Sequence, residues 1–128
     1  MICDAEFAFT PTERFPRCHC STIAECANGD LLVAFYAGSD EARPDVAVLM
    51  VRRKAGADSW EAAVVIADTP EKPEGNPVLF VDPSGKLWLF YGTMQGRPGV
   101  RRPWVWSWRR WTRSARCRGT TATPGLRR

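Results

Sequence analysis

The sequence contains no run of apolar residues approaching the roughly 20 that a membrane-crossing helix needs. That removes a helical membrane span from the expectations. It also lacks an export signal: Met1–Pro16 is acidic and has no apolar stretch of signal length. A cytoplasmic location with reduced thiols is therefore expected for Cys3, Cys18, Cys20, Cys26 and Cys117. Histidine is nearly absent, with His19 alone. Cys18-His19-Cys20 followed by Cys26 does not match a known zinc spacing, so no metal and no cofactor are expected. Acids are missing altogether from residues 96–128, which carry ten arginines. Residues 1–95 hold eight Lys/Arg against fourteen Asp/Glu. The net charge of +4 thus averages an acidic body and a basic tail, and says little about the body.

What is abundant is β-forming sequence. Three strands are predicted at Cys20–Cys26, Asp30–Tyr36 and Val46–Arg53. Asn28-Gly29 predicts a hairpin with a type I′ turn between the first two. In the second strand Leu31, Val33 and Phe35 share one face, and Leu32, Ala34 and Tyr36 share the other. The third opens with the unbroken apolar run Val46–Val51. An antiparallel sheet with one wet face alternates, and these strands do not, so the sheet is expected to be covered on both sides.

Around this centre, residues 1–17 read as an irregular lead-in with a short edge strand near Glu6–Phe9. The segment 37–45 is charged, contains Gly38 and Pro44, and reads as an exposed loop. A fourth strand is predicted at Ala62–Ala67, after a turn ending on Trp60. Pro77–Val81 and Lys86–Tyr91 then form another hairpin around Pro83-Ser84-Gly85. Gly29–Phe35 aligns with Gly85–Tyr91 at an offset of 56 residues. Four short strands recurring at such a spacing, apolar on both faces, fit successive propeller blades. A β-sandwich with two similar hairpins is the competing architecture.

The run His19–Trp60, with Glu74-Gly75-Asn76-Pro77-Val78-Leu79-Phe80 and Leu87–Tyr91, resembles the sialidase (neuraminidase) superfamily, closest to bacterial BNR-repeat sialidase-like proteins. The resemblance implies an all-β, six-bladed type of β-propeller. Residues 18–95 would supply about one and a half four-stranded antiparallel blades of it. Such proteins carry Asp-box turns between the third and fourth strands of a blade. Arg53–Trp60 stands there, keeping Ser59, Trp60 and a Gly but not the early Asp.

The resemblance also implies an exo-glycosidase chemistry with a Tyr nucleophile, an Asp acid/base and an Arg triad for the substrate carboxylate. Where the first Arg of that triad belongs, this sequence has His19, a weaker carboxylate clamp at neutral pH. Asp40 and Asp45, in the loop after the second strand, are the candidate acid/base residues. Arg43 beside them and His19 are the candidate substrate-binding residues. The implied partner is a sialic-acid-like glycan or another carbohydrate. Because the remaining machinery belongs to later blades, the chain reads as an incomplete and inactive fragment. A non-catalytic carbohydrate- or protein-binding fragment is the alternative. Bare blade faces would promote self-association.

The tail from Gly96 mixes Trp and Arg, as in Trp104, Trp106, Trp108 and Arg109-Arg110-Trp111. Nucleic-acid binding through residues 97–128, insertion at an anionic membrane surface, and translation out of the original frame all fit this composition. The abrupt change in mid-blade favours the third, and nucleic acid is not the expected partner. The 56-residue offset nevertheless places Arg102–Arg109 over the third strand, so a strand is possible there.

Overall fold

In the computed structural model the described residues are 4–95, together with the backbone of 105–113. They form seven strands: β1 (Arg17–Glu25), β2 (Leu31–Gly38), β3 (Ala47–Arg53), β4 (Val64–Ala67), β5 (Glu74–Val81), β6 (Leu87–Gln95) and β7 (Val105–Arg113). All neighbouring pairs are antiparallel, in one sheet ordered β1-β2-β3-β4 and a second ordered β5-β6-β7. The fold is all-β, two successive blades of a partial propeller. Among the described residues no helix is long and apolar enough to cross a membrane.

The double-faced apolarity of the first sheet has two separate covers. Leu32, Ala34 and Val48 join Leu79, Leu87 and Leu89 of the second sheet in a buried cluster. On the opposite face Val33, Phe35, Ala37, Ala47, Leu49 and Val51 are covered by Ala8, Phe9, Phe15, Trp60 and Val65. The lead-in thus seals a sheet face that would otherwise be wet. Phe9 packs against Phe35 with ring centroids 4.7 Å apart and the rings tilted by 40°. The edge strand expected at Glu6–Phe9 does not form. Ala8 and Phe9 pack on the sheet face while Phe7 stays exposed, and Glu6 pairs with Arg53.

Two turn devices repeat. Gly29 donates its amide to the Cys26 carbonyl at 2.8 Å, and Gly85 does the same to Asp82 at 2.8 Å. The two glycines have φ of 81° and 79°. Asn28 does not share the positive φ. The turn is therefore a type I turn closed by a left-handed Gly, not the type I′ turn expected from Asn28-Gly29. The side chain of Asn28 favours this form, because its Oδ1 accepts the Asp30 amide at 3.2 Å.

Asp30 is buried and bonds the turn that follows Arg53. Its Oδ1 accepts the Ala55 amide at 2.9 Å, and its Oδ2 accepts Arg52 Nε at 2.8 Å. Burial pushes the Asp30 carboxyl up, but hydrogen bonds from Ala55, Asn28 and Arg52, with the Arg52 charge, hold it below its ordinary value.

Strand β7 occupies the position anticipated from the offset, displaced by four residues. Leu31 pairs with Arg53, whereas Leu87 pairs with Arg113, so an offset of 56 becomes 60. The readings placed on residues 96–104 and 114–128 lie outside the described residues.

Candidate functional site

The candidate residues gather at one end of the blades, where β1 and β5 begin, β2 ends, and the loop 39–46 leaves for β3. The sequence dictates this placement through the two inner strands. Each carries a bulge near its start, between His19 and Thr22 in β1 and between Gly75 and Val78 in β5. A bulge re-aims the side chains that precede it.

His19 lies opposite Tyr36 across the β1–β2 ladder, and the two rings stack with centroids 5.4 Å apart at 25°. The Nε2 of His19 is buried and has no hydrogen-bond partner among the described residues. Tyr36 is 6% exposed. Its hydroxyl donates to Glu41 Oε1 at 3.1 Å and accepts the Cys20 thiol at 3.9 Å. Burial, then the hydrogen bonds with Cys20 and Glu41, push the Tyr36 phenol well above its usual value.

The loop has its own clasp. Ser39 donates its amide to Asp45 Oδ2 and its hydroxyl to Asp45 Oδ1, both at 2.9 Å. Partial burial works against ionisation of Asp45, but the Ser39 bonds and the Arg43 charge outweigh it and hold the carboxyl below its ordinary value. Asp40 Oδ1 accepts the Glu41 amide at 2.9 Å. The Val46 carbonyl accepts the Glu74 amide at 3.0 Å, which ties the loop's end to the start of β5. Glu74 is itself buried, with Oε2 accepting the Thr93 hydroxyl at 2.7 Å and Oε1 the Thr69 amide at 3.1 Å.

The sequence-predicted residues therefore fall into two groups. Asp40, Arg43 and Asp45 share the loop, where Arg43 acts on Asp45 electrostatically. His19 stands on β1 against Tyr36 of β2, and no hydrogen bond among the described residues joins it to the other three. Sequence reasoning did not single out Tyr36, and it read Cys20 only as a possible metal ligand and Glu41 only as one of the loop's charges. Tyr36 reads as one more residue of a strand that is apolar on both faces, and Glu41 as one more charge in a wet loop. Their link arises because β2 runs to Gly38 and the loop folds back over its end.

Among the described residues no three His, Cys, Asp or Glu side chains form a group able to hold a metal ion. A cavity of about 390 Å³ lies elsewhere, between the lead-in and the β3–β4 connection, lined by Glu6, Phe9, Val51, Asp58 and Trp60 among others. It includes none of the strand-start residues.

The family model for a BNR repeat-like domain matches residues 29–121. No curated protein matches the chain. Among solved structures, a protein of unknown function from Dyadobacter fermentans is similar in fold, with a TM-score of 0.66 at 16% identity. The match covers 83% of this chain and 35% of that one, so the chain spans about a third of that protein's length.

Proposed function

The chain belongs to the BNR repeat-like family, and on that footing we propose that it is the glycan-facing part of a sialidase-like protein of the exo-glycosidase type. The single observation that carries this reading is the shared location of a ring stack and a carboxylate loop. His19 and Tyr36 stack at the blade end where the loop 39–46 is bonded across to β5. Tyr36 is buried beneath His19, so the partly exposed His19 ring is the aromatic group beside these fixed acceptors, and that pairing suits a sugar, which offers an apolar ring face and a rim of hydroxyl donors.

Within this reading His19 and Arg43 contact the substrate, and Asp40 and Asp45 are the acid/base candidates. Asp45 is kept ionised by Ser39 and Arg43, which suits a base or a cation-stabilising carboxylate more than an acid. Tyr36 is not an activated nucleophile, because burial and the neighbouring Glu41 carboxylate hold its proton in place. These two blades would therefore supply binding and positioning, with bond cleavage dependent on groups they do not hold. That consideration favours glycan binding without turnover for this chain taken alone.

The reading also includes self-association through the outer face of the second sheet. Val78 and Phe80 are 47% and 51% exposed there, opposite Phe90 and Trp88. Such an apolar surface favours association.

The test is to titrate the chain with 3′-sialyllactose and, in parallel, to assay it with a fluorogenic sialoside. Binding without turnover is expected. Turnover would make the chain an enzyme in its own right, and absence of both would overturn the glycan reading.

A further inference from the structure

The two outer faces of this pair of sheets are finished differently. On the first sheet the lead-in forms a cap: Ala8, Phe9 and Phe15 pack against the cluster that holds Val33, Phe35, Leu49 and Val51, all four buried. Ile23, paired with Val33, stays exposed there. On the second sheet Val78 and Phe80 are half exposed, opposite Phe90 and Trp88. The 56-residue offset says what kind of face this is. Thr22, Ala24, Leu32 and Ala34 hold the equivalent positions in the first sheet, and all four face the second sheet. Leu32 and Ala34 are buried against it, Ala24 packs beside them, and Thr22 accepts the Leu79 amide. The outer face of the second sheet thus repeats the positions by which the first already stacks on another sheet, with larger side chains. It is also prepared for burial. The one polar atom among its four side chains, Nε1 of Trp88, donates to Asp82 Oδ2 at 2.8 Å within its own hairpin, so covering the indole strands no donor.

We propose that this face is the contact between two copies of the chain, packed sheet to sheet about a two-fold axis. This rests on the self-association reading above and adds the partner, the symmetry and the size of the assembly. An array of stacked repeats needs a cover at each end. Here the first sheet has its cover and the second does not. Two copies that meet at their uncovered faces bury both and leave a lead-in cap at either end of the stack. Head-to-tail stacking would instead have to displace Phe9 and Phe15 from the first sheet, and it would continue into open chains of copies. A two-fold contact closes at two. The strands of the second sheet have eight, nine and nine residues. At about 3.3 Å per residue and about 4.8 Å between strands, each copy offers a footprint of roughly 400 Å². That lies at the low end for a specific interface, so a reversible dimer with a Kd of roughly 1–100 μM is expected.

The experiment is sedimentation equilibrium on the full chain across the micromolar range. A monomer–dimer equilibrium with no larger species is expected. Phe80→Lys should weaken the dimer about tenfold or more, because it puts a charge into an apolar contact. Ile23→Lys, on the capped face, should change it by less than about twofold. Both positions are half exposed or more, so each variant should keep the wild-type melting temperature. If Phe80→Lys does not, Val78→Lys on the same face takes its place. A monomer throughout, including one whose own residues 96–128 shield Phe80, overturns the proposal and the self-association reading together. Open-ended growth, or a dimer that Ile23→Lys weakens as much as Phe80→Lys does, overturns the two-fold contact and leaves self-association standing.

Discussion

Cys20 and Asn76 stand 56 residues apart with φ of 49° and 48°, each marking the bulge in the first strand of its sheet. Neither is a glycine, so each left-handed residue carries a backbone cost of about 1 kcal/mol that the surrounding sheet must offset. The same device at the same offset identifies β1 and β5 as equivalent inner strands. It also places His19 and Gly75 at equivalent positions at the end where the candidate site lies.

The strain itself is measurable. Asn76 is exposed, so substitutions there report on the backbone rather than on packing. Asn76→Val is expected to lower stability by about 1–2 kcal/mol in urea unfolding, and Asn76→Gly to leave it equal or higher.

Asp30 ties the first hairpin to the β3–β4 turn, and its loss should be costly. Asp30→Ala removes a buried acceptor shared by Arg52 and the Ala55 amide and is expected to cost about 2–4 kcal/mol. The folded carboxyl sits below its ordinary value of 3.8, so its contribution is present above that pH and lost as the pH falls through the lower folded value. Asp82, held down to about 2 by Ser84, Trp88 and Lys86, acts in the same direction over the same acid range. Melting temperatures followed from pH 7 downward should decline below about pH 4, and Asp30→Asn should flatten that decline.

Gly38 and Gly56 separate steric from conformational need. A Cβ on Gly38 would lie 2.8 Å from Val46 Cγ2 and 2.9 Å from its Cα, so the loop's return to β3 has no room to yield. Gly38→Ala is expected to cost about 2–3 kcal/mol. Gly56 has open space but a φ of 74°, so Gly56→Ala should cost only about 1 kcal/mol. Denaturant midpoints of the two variants give the comparison.

The two sheet faces should respond differently to substitution. Phe9→Ala uncovers part of the first sheet and is expected to cost about 2–3 kcal/mol. Replacing the half-exposed pair, Val78→Lys with Phe80→Glu, should leave stability nearly unchanged and reduce self-association in sedimentation velocity.

The strands were legible where chemistry repeats along the chain. Leu31–Phe35 and Leu87–Tyr91 are apolar on both faces, and Gly29 and Gly85 mark their turns. Strand ends were less so: β1 begins at Arg17 and β5 at Glu74, each three residues earlier than expected, because pairing beyond a bulge leaves no periodic trace. The type I turn was hidden because Asn-Gly serves either turn, and the choice lies with the Asn28 side chain. The four-residue slip of β7 is a matter of loop length. In the site, Asp40, Arg43 and Asp45 were readable as a charged loop beside a strand. The Tyr36–Glu41 bond was not, since it depends on how that loop folds back.

The central claim is that β1 and β5 lie side by side as inner strands of two separate blades. It is tested most directly by NMR contacts around Leu79, whose amide donates to Thr22 Oγ1 at 3.3 Å between the sheets. The account predicts Hα–Hα contacts within β1–β2 and within β5–β6, side-chain contacts from Thr22 to the Leu79 amide, and a protected Leu79 amide that exchanges faster in Thr22→Val. A ladder of Hα–Hα contacts running directly between β1 and β5 would place them in one continuous sheet and contradict it.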